Sequence, residues 1–376
     1  MENQNSVAYV GKIGSVVEIP GADNIELVLV GGWQAITKKG EYKVDDLVVV
    51  ATTDAVIPKE LSDQLGVTNY LRKGQRVRTV KLRGFYSECL IISLNQVFKS
   101  NMSVGGFVEG QDMMEVLGIT KYEPPVKTIT LVSGGRKLKY HQNPNFHIYY
   151  KFPNQKNVPD MFNEEDEVVI TRKLHGTNAR YGIVRKRKLN LWDKVKMFFG
   201  DKWAEFEYVY GSHNVEKGSD SQGFYSTDVW DDVARKYDIR KKLWEHVKNT
   251  YEYLESSFIV YGEIYGAGIQ KNYDYGLNEL KFAGFDVEVN GKYESYPAET
   301  AHFDVMDLPR VELLHWGHWS KEIQDSFVFN NFIEGTKVPH EGVIVKDVSG
   351  VRSKVSKVIN PDYLIYGEKN NVGDSH

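Results

Sequence analysis

The stretch Val168-Val169-Ile170-Thr171-Arg172-Lys173-Leu174-His175-Gly176-Thr177-Asn178 constrains this chain more than any other. Its apolar start reads as a buried strand. A lysine stands at the end of that strand, and a glycine follows three residues later, with small hydroxyl and amide side chains behind it. A lysine held on a rigid strand end in a pocket becomes a nucleophile once desolvation or neighbouring cations push its ammonium pKa down. Taken alone, such a lysine is more often a solvated cap on a strand. The rest of the chain decides between the two.

At 376 residues there is length for two domains. Residues 6–110 read as short strands at 15–19, 26–31, 46–52, 76–82 and 88–94, punctuated by Gly21, Gly31-Gly32, Lys38-Lys39-Gly40 and Pro58. That spacing predicts a β-rich, OB-like domain over 1–125. In the strand at 76–82, basic and apolar residues alternate, so Arg76, Arg78 and Lys81 or Arg83 share an outer face. That face is either a phosphate-tracking groove or simply solvated. A short helix is expected at 113–119. Residues 126–160 then read as a linker and leading segment, with Gly134 as the flexible point.

The second domain, 161–376, opens with the lysine-bearing strand, and 179–184 is expected to be its antiparallel partner. Arg185-Lys186-Arg187-Lys188 and the aromatics after it, Trp192 and Phe198-Phe199, read as an excursion from the core. A charge run is usually a solvated turn, but cations interleaved with aromatics also suit a nucleic-acid edge. Trp230, Val233, Ala234, Tyr237, Leu243, Trp244, Val247 and Tyr251 recur at helical spacing, which predicts a helix over 229–256 packed into a core. Strands return at 258–262, 281–289 and 342–347. The fold class is α+β with mainly antiparallel sheets.

Composition narrows the function classes. With a net charge of −4, nucleic-acid binding has to come from local basic clusters rather than a global field. The single cysteine, Cys89, excludes an internal disulfide and a cysteine zinc site. The polar start and the lack of any bilayer-length apolar run lead us to expect a cytoplasmic protein, monomeric and without a membrane partner.

Three further stretches carry acids and glycines on strands. They are Ile259-Val260-Tyr261-Gly262-Glu263-Ile264-Tyr265-Gly266, Phe282-Ala283-Gly284-Phe285-Asp286-Val287 and His340-Glu341-Gly342-Val343-Ile344-Val345-Lys346-Asp347. Lys354 and Lys357 follow, shortly before Asn360-Pro361-Asp362-Tyr363. In this order the set resembles the covalent nucleotidyltransferase superfamily of polynucleotide ligases and mRNA capping enzymes, in which a lysine takes the nucleotide as a phosphoramidate. DNA ligases and capping enzymes usually carry aspartate where this chain has His175, and the K-x-H-G-T-N form looks like the RNA ligase branch. The β-rich domain precedes the transferase here. With Leu117-Gly118-Ile119-Thr120-Lys121-Tyr122-Glu123-Pro124-Pro125, that order resembles the RNA ligase family typified by the Deinococcus and Naegleria enzymes.

The resemblance implies an ATP-dependent enzyme that seals 3′-OH and 5′-phosphate RNA ends, preferentially at nicks, with Mg²⁺ or Mn²⁺. It implies Lys173 as the nucleophile, activated by Lys346 and Lys357 or by the divalent ion. Glu263 and Glu341 are the implied metal holders, hard oxygen ligands suited to such ions, and Glu263 can also meet the ribose. Phe285 would stack on adenine with Asp286 bracing the site. His175 would meet phosphate or the metal shell, and Asn178 and Thr177 would hold the loop or touch the nucleotide. Two departures stand out. Relatives often carry an arginine where this chain has His213, and the closing K-x-K pattern is replaced by Lys354 and Lys357, with Ile359 in place of a lysine. The competing readings are a GTP-using capping-type transferase and a non-catalytic RNA-end-binding protein.

Overall fold

The computed structural model describes residues 6–72, 74–98, 106–122, 132–133, 136–137, 142–219, 223–224 and 228–372. Gly134, the expected flexible point, lies outside them. The chain divides into two compact units. One comprises Met1–Val126, Pro153–Phe162 and Val358–Lys369; the other comprises Lys127–Phe152, Asn163–Lys357 and Asn370–His376.

In the first unit, β1 (Ala8–Glu18), β2 (Ile25–Val30), β3 (Trp33–Lys38), β4 (Leu47–Thr52) and β5 (Cys89–Ser93) form one antiparallel sheet in the order β3-β2-β1-β4-β5. The long β1 pairs with β4 through its first half and with β2 through its second, with a register shift between Ile13 and Ser15. Gly11 makes the passage possible. A Cβ there would lie 2.5 Å from Val30 Cγ1 and 2.8 Å from Val50 Cγ2, so any side chain would push the two flanking strands apart. The sheet curls into the small, partly open barrel expected of an OB-type domain. Strand β3 is not among the expected strands, because its alternation starts straight out of the Gly31-Gly32 turn.

The strand expected at 76–82 shrinks to Val80–Leu82, paired with Phe85–Ser87. The proposed phosphate-tracking face is corrected with it. Arg76 binds Asp54 at 2.8 Å and lies over the Tyr122 ring, Arg78 binds Glu368 at 2.9 Å, and Lys81 donates to Tyr86 Oη at 2.7 Å and to Asp362 at 3.4 Å. The helix Pro361–Asn370 supplies two of those carboxylates, so these cations are ion-paired within the protein and do not line an open strand face.

The second unit contains β6 (Glu167–Lys173), β7 (Thr177–Arg185), α1 (Leu191–Phe198), β8 (Phe206–Gly211), α2 (Val229–Lys236), α3 (Ile239–Thr250), β9 (Ser257–Gly266), β10 (Leu280–Val289), α4 (Tyr296–Val305), β11 (Leu313–His318), β12 (Gly342–Asp347) and β13 (Val355–Ile359). Its strands form two sheets. One runs β11-β6-β12-β13, and the other has β8-β7-β9-β10 at its centre. The expected pairing of 179–184 with the lysine-bearing strand is therefore corrected. β6 pairs with β11 and β12, while β7 pairs with β8 and β9 in the other sheet. The single expected helix over 229–256 is two helices, broken at Asp238, which adopts φ +54°. Their apolar stripe packs where expected: Val233, Ala234, Leu243 and Val247 are buried against Tyr181, Phe258, Phe282 and Phe303. Among the described residues no helix is long and apolar enough to cross a membrane.

Candidate active site

Lys173 ends β6 and pairs in register with Gly342, the first residue of β12. Glu341 therefore arrives beside it, and Lys173 Nζ meets Glu341 Oε1 at 2.7 Å. The lysine side chain remains 24% exposed, whereas the glutamate is buried. Burial acts to lower the lysine's pKa, but the carboxylates of Glu341 and Glu263 outweigh it, and the ammonium is held above its ordinary range. The first expected source of a depressed pKa, Lys346 with Lys357, is therefore corrected, since neither is among the groups that set it; the divalent ion was the other expected source. Among the chain's own groups the dominant neighbours of Lys173 are acids, and they stabilise its charge.

After Lys173 the chain leaves one sheet and enters the other within Leu174-His175-Gly176. Gly176 is required at the crossing, because a Cβ there would sit 2.3 Å from Ile264 O and 2.9 Å from Glu263 Cγ. The crossing is pinned by the loop after β9. The His175 backbone N–H donates to Tyr275 Oη at 2.7 Å, and Gln270 Nε2 donates to the Gly176 carbonyl. The Tyr273 ring packs edge-on to the wholly buried His175 imidazole, with centroids 4.6 Å apart. Tyr273, Tyr275 and Gln270 carry no signal in the sequence pattern, since they sit in a loop without periodicity.

On β7, Thr177 faces Ile264 and Asn178 faces Glu263 across the ladder to β9. The Asn178 carbonyl accepts from Trp230 Nε1 at 3.0 Å, while its side-chain oxygen is buried with no hydrogen-bond partner. Burial pushes the Glu263 carboxyl up to about 8; Lys173 opposes this and Glu341 adds to it. Glu341 Oε2 is also buried without a hydrogen-bond partner, 3.9 Å from His175 Nδ1. The unpartnered Glu341 Oε2, with the Glu263 carboxyl and the unpartnered Asn178 Oδ1 nearby on the β7–β9 ladder, offers oxygen ligands that fit a hard divalent cation. Among the described residues no group of three or more His, Cys, Asp or Glu converges as a protein cage. A two-carboxylate site that leaves the remaining positions to water and phosphate suits Mg²⁺ or Mn²⁺.

A second cluster centres on Asp286. The β9–β10 ladder shifts so that Tyr261 faces Asp286 and Gly262 faces Gly284, which leaves Phe285 as the extra residue of a bulge. Phe285 is half-buried, edge-on to Tyr149 with centroids 5.0 Å apart. Asp286 is fully buried, takes two bonds from Arg352 at 2.7 and 2.8 Å, and accepts from Tyr149 Oη at 2.9 Å. The Arg352 guanidinium lies 3.8 Å from the Tyr293 ring centroid. Lys346 belongs here and is not a neighbour of the Lys173 ammonium. Its Nζ binds Glu299 at 2.5 Å and the Phe285 carbonyl at 3.0 Å.

The remaining expected residues are more dispersed. His213 follows β8 and is half-buried; burial lowers its pKa, and the nearby cations Arg180 and Lys151 lower it further. Lys354 is ion-paired with Asp166 at the approach to β6, and Lys357 is half-buried on β13, the strand beside β12. Arg352, Tyr149 and Glu299 were missed in the sequence. They come from three separate segments, and only the fold brings them to Asp286 and Lys346.

An OB-fold domain family matches residues 7–94, and a family described as RNA ligase matches residues 166–359. The solved structures similar to this chain include Naegleria gruberi RNA ligase with PPi, at TM-score 0.68 and 22% identity, covering 97% of this chain and 99% of that one. A mutant of the same ligase with AMP and Mn superposes at TM-score 0.70 and 21% identity, covering 96% and 98%. A mutant with ATP and Mn does so at 0.68 and 22%, also covering 96% and 98%. No curated protein matches the chain in sequence.

Proposed function

The chain belongs to the RNA ligase family, and from that premise we propose that it joins RNA 3′-OH and 5′-phosphate ends with ATP through a lysyl-AMP intermediate. The observation that carries this reading is Lys173, partly open and held 2.7 Å from Glu341, with Glu263 as a second acid beside it. The similar Naegleria structures, solved with ATP and Mn or AMP and Mn, support the choice of nucleotide and ion.

Three phosphoryl transfers follow. Lys173 Nζ attacks the α-phosphorus of ATP, a P–N bond forms, and the bond to pyrophosphate breaks. Glu341 Oε1, already hydrogen-bonded to Nζ, is placed to accept the ammonium proton. In the second step a 5′-phosphate oxygen attacks the adenylyl phosphorus, the P–N bond breaks, and Lys173 takes a proton back. In the third the 3′-OH attacks the 5′-phosphate, and AMP leaves. Positioning and charge stabilisation do most of the work in such transfers. A divalent ion on Glu263 and Glu341 supplies phosphate neutralisation and offsets the carboxylate charge that holds the ammonium proton.

The other residues take supporting roles in this reading. Phe285, half-buried, is the wall that stacks on adenine, and the Asp286–Arg352 pair and Lys346 hold the bulge that presents it. Lys357 faces phosphate, and His175 with Asn178 shapes the loop beneath it. His213, whose pKa is lowered by burial and further by its cationic neighbours, replaces a charged contact to ribose or phosphate. Nicks in duplexes are the preferred substrate. The test is incubation with α-labelled ATP or GTP and Mg²⁺ or Mn²⁺, followed by denaturing electrophoresis. Label from ATP that disappears in Lys173→Ala is expected. Absent label, label indifferent to Lys173→Ala, or preferential labelling by GTP overturns the reading.

A further inference from the structure

Helix α1, in the β7–β8 connection, is turned inside out. At 100° per residue, Leu191, Trp192, Val195, Phe198 and Phe199 fall on one face. Leu191, Trp192, Phe198 and Phe199 on that face are 76%, 74%, 86% and 81% exposed. The buried residue of the helix is instead Asp193, which accepts from Lys186 Nζ at 2.7 Å and from the Asn190 backbone N–H at 3.0 Å. Asn190 returns the bond to the Asp193 N–H at 2.8 Å, closing a capping box. Arg185 is tied to Glu205 at 2.7 Å, so the base of the excursion is anchored by polar bonds. Isolated exposed apolar residues are ordinary, but a contiguous face of large ones marks a contact surface.

Charge identifies what the face meets. Residues 185–202 hold seven Lys or Arg against two Asp, in a chain whose net charge is −4. Lys194 and Lys196 lie on either side of the apolar arc. We propose that α1 docks on an anionic lipid surface, with Leu191, Trp192, Phe198 and Phe199 in the headgroup boundary and Lys188, Lys194 and Lys196 on the headgroup phosphates. Such a helix lies in the interface and does not span it. Aromatic side chains and lysine stems suit that layer, where one end of a side chain is apolar and the other is wet. A chain with net negative charge can approach an anionic surface only through a local basic patch, which also fixes its orientation.

Two other occupants fit less well. A second copy docked face to face would bring Lys194 and Lys196 onto their own counterparts. Unpaired RNA bases stack on rings, but Leu191 and Val195 offer no ring. The helix also leaves from the Arg185 end of β7, roughly 23 Å along the strand from Asn178 at about 3.3 Å per residue.

The experiment is sedimentation of the full chain with phosphatidylcholine vesicles, with or without phosphatidylglycerol, at low and high salt. Binding to the anionic vesicles that weakens with salt is expected. The combined variant Trp192→Ala, Phe198→Ser, Phe199→Ser should lower that binding at least about tenfold. Lys194→Glu with Lys196→Glu should lower it as well. Both variants should retain labelling by ATP at the wild-type level, which shows that the fold is intact. No binding to anionic vesicles, or binding unchanged by the aromatic variant, overturns the proposal. So does an aromatic variant that leaves vesicle binding alone and instead weakens RNA binding or converts a dimer to a monomer.

Discussion

Two lysine–glutamate pairs sit on neighbouring strands of the same four-stranded sheet, and they have opposite fates. Lys173, at the end of β6, meets Glu341 and keeps 24% of its side chain in solvent. Lys346, on β12 across from Val169, meets Glu299 with 7% and 4% exposed, and it also binds the Phe285 carbonyl. Burial opposes the charge of both lysines, and acids hold both pKa values up. The chemistry of the pair therefore does not single out a nucleophile. What separates them is whether an ammonium face remains for an incoming phosphorus. Lys173 stands beside a sheet crossing with part of its side chain open, whereas Lys346, next to last on β12, is closed off under a bulge that its own bond helps to hold.

Substitutions can break or sharpen this contrast. The largest effect is expected from Lys173→Arg, which keeps a cation opposite Glu341 but removes the nucleophile. Adduct formation should fall below detection while circular dichroism is unchanged. Lys346→Ala should do the reverse. It leaves Glu299 buried and uncompensated, at a cost of about 3–5 kcal/mol in urea unfolding. Equal destabilisation by Lys173→Ala would mean that the two pairs play the same structural part.

The next effect lies in pH. The Glu263 carboxyl is held at about 8, above its ordinary 4.5, so the folded metal-free chain binds a proton that the unfolded chain releases. Its contribution to stability is full below about pH 4.5 and is lost as pH rises through about 8. Glu263→Gln cannot ionise, so it should flatten that slope by about 4 kcal/mol in chemical unfolding between pH 5 and pH 9. An unchanged slope would assign the proton elsewhere. The smallest effect is expected at Lys354, whose partner Asp166 lies at the approach to β6. Lys354→Ala should cost no more than about 1 kcal/mol, with label formation unaffected. A collapse of labelling would return Lys354 to the nucleotide.

The strand under Lys173 was legible because three β-branched residues in a row have few other uses, and Glu263, Phe285 and Glu341 stood out because polar or bulky groups interrupt glycine-flanked strands. The OB-type barrel was legible from strand spacing. Pairing was not legible. Two strands four residues apart look like a hairpin, and only the crowding of Gly176 against Ile264 and Glu263 shows that they part into two sheets. Charge partners were equally hidden. Arg76, Arg78 and Lys81 alternate as a binding face would, yet their carboxylates come from residues 54, 368 and 362. Lys346 showed the same gap, since Glu299 lies 47 positions away on α4.

The bonds that pin the sheet crossing also act as a ruler on the sequence. Gln270 and Tyr275 hold Gly176 and His175, and Glu263 sits against the same glycine, so the span from Glu263 to Tyr275 has a fixed length. One residue inserted there would shift the hydroxyl or the amide off the crossing and move Lys173 with it. The connection at 307–312 is held differently: the Glu312 carbonyl accepts from the N–H of Arg172, next to the lysine, and Pro309 and Val311 pair with Gly284. Insertions there should be felt through β6 and the Phe285 bulge rather than through the crossing, which makes indel tolerance a map of how far the reach of the lysine extends along the chain.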